Sequence, residues 1–272
     1  MIKYFAIEWE KYRNYTTFWV MLTLFAGLFV ITIAVAAGFQ ISFGEFDVRN
    51  FFKFPLVWNT VAWFASWFNL LLAILAIIIT GNDFSWKIYR QNIIDGLERT
   101  HLLTGKYILF TAIGLGVMVL VMLVSLVCGF IYTDKIVFAD IFSKSYYLII
   151  CFVQSMSYMS MAFFAAVLFR NTSMALVLFI VYFFPLEPIL RFMTPDHIDK
   201  FFPLKLISDL TPYPSIVDAT NDPAMKAAME NQLSQMKSDD STLSLGWAVL
   251  VSFGWWMVFS VSSFFMMKNR NL

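Results

Sequence analysis

Charged side chains are scarce in this sequence. Asp, Glu, Lys and Arg make up 14% of the 272 residues, whereas soluble domains average about 25%. Hydrophobic residues reach 60%, and the mean hydropathy is +0.72. A chain with so little charge cannot cover a large surface in water, so the composition predicts a membrane protein with several spans. The net charge of +1 gives no indication of a nucleic-acid partner.

Residues that form disulfides or bind metals are also few. Cys128 and Cys151 both lie in apolar runs, where we expect small buried hydrophobes rather than a disulfide framework or a zinc site. His101 and His197 fall on opposite sides of the predicted membrane, so they cannot share a metal ion. The sequence therefore predicts no bound metal.

Nucleotide-binding and hydrolase motifs are missing as well. The phosphate-binding pattern G-x-x-x-x-G-K-[ST] comes nearest at Gly105-Lys106, but Thr100 replaces its first glycine and Tyr107 its last position. The sequence contains neither His-Glu-x-x-His nor G-x-S-x-G. We therefore expect no ATPase site, no other enzymatic activity and no bound cofactor in this chain.

Long apolar runs are abundant. About 20 apolar residues suffice for a helix to cross a ~30 Å hydrocarbon core. Five runs meet that length, at about 18–39, 57–80, 108–132, 147–169 and 245–267, and an interrupted sixth extends from 173 to about 193. All are apolar on every side, unlike the alternating strands of a barrel. The expected fold is all-α, a single polytopic membrane domain over residues 1–272 with six transmembrane helices.

The distribution of Lys and Arg predicts the orientation. Six spans put both termini on one side, which would carry Lys3, Lys11, Arg13, Lys87, Arg90, Arg99, Lys106, Arg170, Lys268 and Arg270. Basic residues outnumber acidic residues there, and the reverse holds on the other side. Because cytoplasmic loops carry the excess of Lys and Arg, we expect both termini in the cytoplasm.

The first and the last segments outside the spans are both too long for simple connecting loops. Residues 1–17 place Ile2, Phe5, Trp9 and Tyr12 at helical spacing, which predicts an amphipathic helix lying in the cytoplasmic membrane interface. A plain extension of the first span is the alternative. Residues 191–244 form a large extracytoplasmic loop in which the stretch "PAMKAAMENQLSQMKS" is predicted to be helical.

The interrupted fifth run contains Pro185 and Pro188 on either side of Glu187. Proline removes a backbone donor, so the run predicts a broken, re-entrant segment at the outer leaflet, with Glu187 and Arg191 paired four residues apart. The alternative is a helix that ends at Pro185 and leaves Glu187 in water. The main other polar groups inside the spans, Asn69 and Gln154, could line a translocation path or bond two helices together.

The segment 81–107, between the second and third runs, is unusually long and polar for a loop. Trp86, Tyr89, Ile93 and Leu97 recur on one helical face. We expect an N-cap at Asn82 or Asp83, a helix stop at Gly96, and a second short helix starting near Glu98–Thr100. This helix could be an ordinary solvated loop or a docking surface for another protein.

The order of these elements resembles the permease subunits of type-2 ABC transporters. In that family the segment between the second and third spans carries an acidic residue, a basic residue, a small turn and "GK" at the entry to the third span. The matching positions here are Asp83, Arg90, Gly96, Arg99 and Gly105-Lys106. The run "RQNIIDGLER" is similar to runs in some bacterial members, and the sequence departs from the family pattern at Trp86 and Glu98.

The resemblance implies a membrane permease subunit of an ATP-driven exporter in the bacterial cytoplasmic membrane. Its partners would be two ABC ATPase subunits, which bind ATP and Mg, and a second permease copy or paralogue. Ile88–Gly96 would be the coupling helix. The implied ATPase-coupling interface comprises Trp86, Tyr89, Arg90, Asn92, Ile93, Asp95, Gly96, Glu98 and Arg99. Two alternatives remain, a membrane scaffold that docks another cytoplasmic partner and an ion-coupled carrier.

Overall fold

The computed structural model describes residues 2–38, 42–43, 46–94, 96, 98–134, 137–214, 227 and 243–269. In this part of the chain the architecture is helical apart from a hairpin of two-residue strands, β1 (Ser42–Phe43) and β2 (Phe46–Asp47). The helices are α1 (Ile2–Arg13), α2 (Thr16–Gly38), a 3-10 helix (Val48–Phe52), α3 (Val57–Ser66), α4 (Asn69–Ser85), α5 (Ile88–Ile94), α6 (Arg99–Tyr132), α7 (Phe138–Phe142), α8 (Tyr147–Phe169), α9 (Thr172–Val181), a π-helical turn (Tyr182–Leu186), α10 (Glu187–Phe192), α11 (Asp196–Asp199), α12 (Pro203–Ser208) and α13 (Leu245–Asn269).

Five helical stretches are long and apolar enough to cross a membrane, and a bent pair makes a sixth candidate. The five are α2, α6, α8, the run from α9 to α10, and α13; the pair is α3 with α4, bent by 44°. The prediction of an all-helical protein with membrane-spanning helices is confirmed at this level. The helix predicted within residues 223–238 lies outside the described residues, apart from residue 227.

Helix α8 is the centre of the bundle. It packs against α3, α4, α6, α9 and α13, and most of its side chains are buried. Serines on α8 allow close approach, and Ser160 Oγ lies 3.1 Å from Ser260 Oγ of α13. By contrast, few side chains of α2 and α13 are buried, and many are exposed and apolar, as expected of lipid-facing helices. We refer below to the α5 end of the bundle and, opposite it, to the α7 end.

Helix α6 is continuous over 34 residues. At 1.5 Å per residue this is roughly 51 Å, well beyond a ~30 Å hydrocarbon core. The helix start predicted near Glu98–Thr100 is confirmed, because α6 begins at Arg99, but these residues form the first turn of α6 rather than a separate short helix. Gly105 lies within this helix and does not end it.

The chain remains helical through Pro185. The π-helical turn Tyr182–Leu186 contains this proline, and the backbone N–H of Glu187 donates to the carbonyl oxygen of Tyr182. The wider turn accommodates a residue that lacks an N–H and would clash in a regular helix. The helix thus neither breaks nor ends at Pro185, in contrast to both alternatives drawn from the sequence. The chain turns back toward the bundle only after Phe192, through α11 and α12.

Candidate functional site

A buried lysine joins three helices at the α5 end of the bundle. Lys106, near the start of α6, is 0% exposed. Its Nζ lies 2.7 Å from Asp83 Oδ2 on α4 and 2.8 Å from Glu8 Oε2 on α1. Both carboxylates are also buried. A charge removed from water in this way is tolerated only when partners of opposite sign surround it.

Two further residues of α1 complete this group, which we call the Lys106 cluster: Glu8, Lys11, Tyr12, Asp83 and Lys106. The Tyr12 hydroxyl lies 2.9 Å from Asp83 Oδ1 and accepts a hydrogen bond from Lys106 Nζ. Lys11 Nζ lies 2.9 Å from Glu8 Oε1 and 3.3 Å from Asp83 Oδ2. Two acids thus face two ammonium groups, so the cluster is neutral as a whole.

The tyrosine of the cluster stays protonated at physiological pH. Burial raises the pKa of Tyr12 well above its usual value, and the negative charges of Asp83 and Glu8 raise it further. The neutral hydroxyl can therefore donate to Asp83 while it accepts from Lys106. Through these contacts α1 is fixed to the last turns of α4 and the first turns of α6.

The short helix α5 projects from this cluster between two residues with left-handed backbone conformation. Lys87 before it has φ 57°, and Gly96 after it has φ 90°. The helix stop predicted at Gly96 agrees with this positive φ. The N-cap predicted at Asn82 or Asp83 is wrong, because α4 continues to Ser85 and uses both side chains for contacts with other helices.

The side chain of Tyr89 anchors α5 onto the cluster. Tyr89 is buried, and its ring centroid lies 4.6 Å from that of Phe84 at the end of α4. Burial raises the pKa of Tyr89 well above its usual value, and the nearby Lys106 ammonium offsets only part of this effect. Its hydroxyl has no hydrogen-bond partner among the described residues. Tyr89 thus faces the bundle rather than the outside, unlike the interface role predicted for it.

The other side of α5 is exposed and partly apolar. Ile94 is 76% exposed, while Asn92 and Ile93 are half-buried, and Trp86, which precedes α5, is 61% exposed. The prediction that Trp86 and Tyr89 share one helical face is therefore wrong, because Trp86 lies outside the helix. The ring of Trp86 packs edge-on against Tyr15, which follows α1. Among the remaining interface predictions, Gly96 and Glu98 are exposed. Asp95 and the side chains of Arg90 and Arg99 lie outside the described residues.

A second set of contacts joins α4 to α9 at the same end. Asn82 Nδ2 donates to the Tyr15 hydroxyl at 2.9 Å, and Thr172 Oγ1 donates to Asn82 Oδ1 at 3.1 Å. Gly81 lies so close to α9 that an added Cβ would stand 2.8 Å from Thr172 Cα. The start of α9 is therefore fixed against the same turn of α4 that carries Asp83.

The two polar residues predicted within the spans bond to each other. Asn69 Nδ2 donates to Gln154 Oε1 at 3.2 Å, and Ser155 Oγ donates to Asn69 Oδ1 at 2.9 Å. Gln154 Nε2 also donates to the carbonyl oxygen of Ile207 at 2.8 Å. Of the two sequence interpretations, the interhelical bond is therefore present. It ties the bend between α3 and α4 to α8 and to the end of α12.

The predicted pair of Glu187 and Arg191 takes a different form. Arg191 Nε lies 2.6 Å from Asp199 Oδ1, whereas Glu187 Oε1 accepts from the backbone N–H of Lys205 at 2.9 Å. The prediction that Glu187 and Arg191 pair is therefore wrong. Helices α11 and α12 fold back over α10 and supply better-placed partners for both. Pro188 follows Glu187 in the first turn of α10, where a proline is tolerated.

The sequence analysis did not identify Glu8 and Lys11 as site residues. Part of the signal was present, because Glu8 lies one helical turn before Tyr12 on α1, and Asp83 and Lys106 lie near the ends of apolar runs. Spacing alone could not reveal that Glu8 and Asp83, far apart in the sequence, meet at one lysine. That information depends on how α1 packs between α4 and α6.

A scan against protein-family models finds no match, and a search of the curated proteins finds none either. In the described residues no group of His, Cys, Asp and Glu side chains has the arrangement of a metal site.

Proposed function

We propose that this chain is the membrane permease subunit of an ATP-driven ABC transporter, acting as an exporter. Two copies, or one copy and a paralogue, would form the translocation path in a bacterial cytoplasmic membrane, with both termini in the cytoplasm. Two separate ATPase subunits would bind ATP and Mg. In this proposal α1 lies in the cytoplasmic interface and α5 is the coupling helix.

The observation that carries the proposal is the way α5 is mounted. Tyr89 packs one side of this seven-residue helix against Phe84 at the end of α4, while Ile94 on the other side and Trp86 just before the helix are exposed. An exposed apolar patch beside polar groups is typical of a protein-docking surface. A loop helix that only connected two spans would need neither the buried anchor nor the exposed apolar residues.

The contacts indicate how a push on α5 would travel. Tyr89 bears on Phe84 and the Lys106 cluster, and the cluster holds α1, α4 and α6 together. A displacement of α5 would therefore move the ends of two spans and the N-terminal helix as one unit. Asn82 would pass part of the movement to α9 through Thr172. In the proposal this unit has two positions, and ATP binding to the partner ATPase would favour one of them.

At the α7 end, the segment after α10 folds back into the bundle, which is consistent with a translocation path that is closed on its outer side. Gln154 lies seven residues after Tyr147, which is about 10 Å along α8. Its bond to Ile207 therefore holds the end of α12 at that depth inside the bundle. In a membrane, this would be the re-entrant element that the sequence suggested earlier in the chain. In this proposal the segment would serve as the outer gate.

Two matched substitutions test the proposal. Ile94→Glu places a charge on the exposed side of α5, and Phe138→Glu places one on α7, where Phe138 is 79% exposed. Tagged wild-type chain should co-purify with a subunit that carries a Walker A motif, and Ile94→Glu should reduce its recovery at least tenfold. Phe138→Glu should leave the recovery unchanged.

Co-purification separates this proposal from its rivals. If the wild-type chain recovers no ATPase, or if Ile94→Glu recovers as much as wild type, the permease proposal fails. Recovery of a non-ATPase partner that depends on Ile94 would favour the scaffold. Uptake or export driven by a proton gradient without ATP, and dependent on Glu187, would favour the ion-coupled carrier.

A further inference from the structure

A cavity of about 200 Å³ lies between α8, α10 and α12. Its lining includes the rings of Tyr158 and Phe183, the carboxyl group of Glu187, and side chains of Arg191, Lys205 and Ser208. Tyr158 lies eleven residues after Tyr147, about 16 Å along α8, so the cavity reaches deep between the helices. It is distinct from the Lys106 cluster, which occupies the α5 end.

One polar atom in this cavity stands out because it lacks a partner. Glu187 is 99% buried, as its exposed fraction is 1%. Its Oε1 accepts from the Lys205 N–H at 2.9 Å, but Oε2 has no hydrogen bond within the described part of the chain. The Tyr182 hydroxyl lies near the same carboxyl group and interacts with it. A buried carboxylate oxygen without a donor is costly, and a bound donor would remove the cost.

The neighbouring positive charges already have a partner of their own. Asp199 lies between them, with Oδ1 2.6 Å from Arg191 Nε and Oδ2 2.7 Å from Lys205 Nζ. They are therefore engaged by a carboxylate on α11, whereas Glu187, which also lines the cavity, keeps one carboxylate oxygen without a hydrogen bond. This arrangement favours a ligand that brings positive charge and N–H donors over one that brings an anion.

The remaining side chains that line the cavity are aromatic or apolar, and they indicate which groups the rest of the ligand carries. The Tyr158 and Phe183 rings lie 6.2 Å apart between centroids, and Pro188 and Leu204 line the same cavity. Aromatic faces attract ammonium groups, and apolar walls accept a short hydrocarbon chain. We propose that this cavity is a binding site for a primary ammonium group carried on a small apolar tail, with Glu187 as the residue that recognises the ammonium.

The site belongs to this chain alone, so binding can be measured without any ATPase. The probe is n-hexylammonium, titrated by calorimetry at pH 7.5 into purified protein in neutral detergent micelles. Wild-type protein should give saturable binding, and Glu187→Gln should weaken it at least tenfold. Partition of the probe into micelles is the same for both proteins and cancels. Asp134→Asn, which removes an exposed carboxylate paired with Lys53, should bind like wild type.

Two further comparisons, one with other probes and one with a second variant, separate binding at this site from nonspecific binding. n-Hexanol and n-hexyl phosphate, which share the tail but lack the ammonium, should show no saturable binding. Ser208→Phe places a ring at the exposed rim of the cavity while Glu187 remains, and it should weaken binding even if Glu187→Gln does not fold. Equal titrations for wild type and Glu187→Gln, undiminished binding to Ser208→Phe, or tighter binding of n-hexyl phosphate would each overturn the assignment. None of these outcomes bears on the pairing with an ATPase.

Discussion

Lys106 Nζ and Asp83 Oδ2 lie 2.7 Å apart, although 22 residues of loop and helix lie between them in the sequence. The two residues mark the last turn of α4 and the first turns of α6, on either side of the segment that carries α5. Glu8 brings α1 to the same ammonium group. The ends of the α5 connection are thus held together by charge, and a helix that lies outside the connection is held with them.

The first prediction concerns the removal of Lys106. In Lys106→Met the carboxylates of Glu8 and Asp83 stay buried but lose one of the two ammonium groups that balance their charge. This variant should therefore lower the free energy of unfolding by about 3–5 kcal/mol. The triple variant Lys106→Met, Glu8→Gln, Asp83→Asn removes Lys106 together with both acids and leaves only the ammonium group of Lys11, whose side chain is 19% exposed, so it should recover most of that loss. Unfolding in mixed micelles measures both. A triple variant that is less stable than Lys106→Met would contradict this account of the cluster.

The same variants separate stability from coupling. If the cluster transmits movement from α5, the triple variant should regain stability but not ATP-dependent transport. Recovery of both stability and transport would show that the charges only stabilise the packing of the helices.

The second prediction concerns the left-handed turn after α5. Gly96→Ala puts a Cβ on a residue with φ 90° and should cost about 1 kcal/mol. Hydrogen exchange of the α5 amides should become faster, because the helix loses its stop. Gly116→Ala is the matched control, since Gly116 lies inside α6 with no atom within 4 Å of the added carbon. That control should leave exchange in α5 unchanged, and unchanged exchange in Gly96→Ala would contradict the strain argument.

The third prediction concerns the contact between α4 and α9. In Gly81→Ala the new carbon would stand 2.6 Å from Thr172 Oγ1 and 2.8 Å from Thr172 Cα, so backbone must shift. We expect a loss of about 1–3 kcal/mol from overpacking. Gly27→Ala in α2 meets no atom within 4 Å and should be neutral or stabilising. Equal thermal stability of the two variants would argue against the close approach of these helices.

The fourth prediction concerns pH. The hydrogen bond from Arg191 and the nearby Lys205 ammonium lower the pKa of Asp199. A carboxyl group with a lowered folded-state pKa stabilises the fold above its unfolded-state pKa of about 3.9, and this contribution is lost as pH falls through the folded value. The stability difference between wild type and Asp199→Asn should thus be constant from about pH 8 to 5 and shrink below about pH 4.

Asp134 provides the control for this titration. Its contact with Lys53 is exposed, so Asp134→Asn should differ little from wild type at any pH. A difference between wild type and Asp199→Asn that grows as the pH falls would contradict the assigned role of Asp199.

Parts of this fold follow directly from sequence pattern. The limits of α8 coincide with an apolar run that has polar residues at both ends, and the left-handed Gly96 follows from its place after a periodic stretch. Local signals were enough because each feature is decided within a few residues. The course of the chain through Pro185 was not predictable in this way. A π-helical turn and a helix break share the same proline signal, and packing against α8 and α12 decides between them.

In the candidate site, too, some features can be predicted from the sequence and others depend on tertiary packing. The exposed Trp86 and the charged borders at Asp83 and Lys106 can be read from the sequence. The inward position of Tyr89 and the pairing of Arg191 with Asp199 depend on tertiary packing. Helical periodicity states which residues share a face, but not which face turns toward the bundle.

The central claim, that α5 engages an ATPase, is tested most directly by site-specific photo-crosslinking in intact cells. A photo-reactive amino acid at position 94 should crosslink to a protein with Walker A and Walker B motifs, identified by mass spectrometry, and one at position 138 should not. The ATPase crosslink from position 94 should also change in yield when ATP is trapped on the partner. Absence of any ATPase crosslink from position 94, with the chain present at normal levels, would contradict the account.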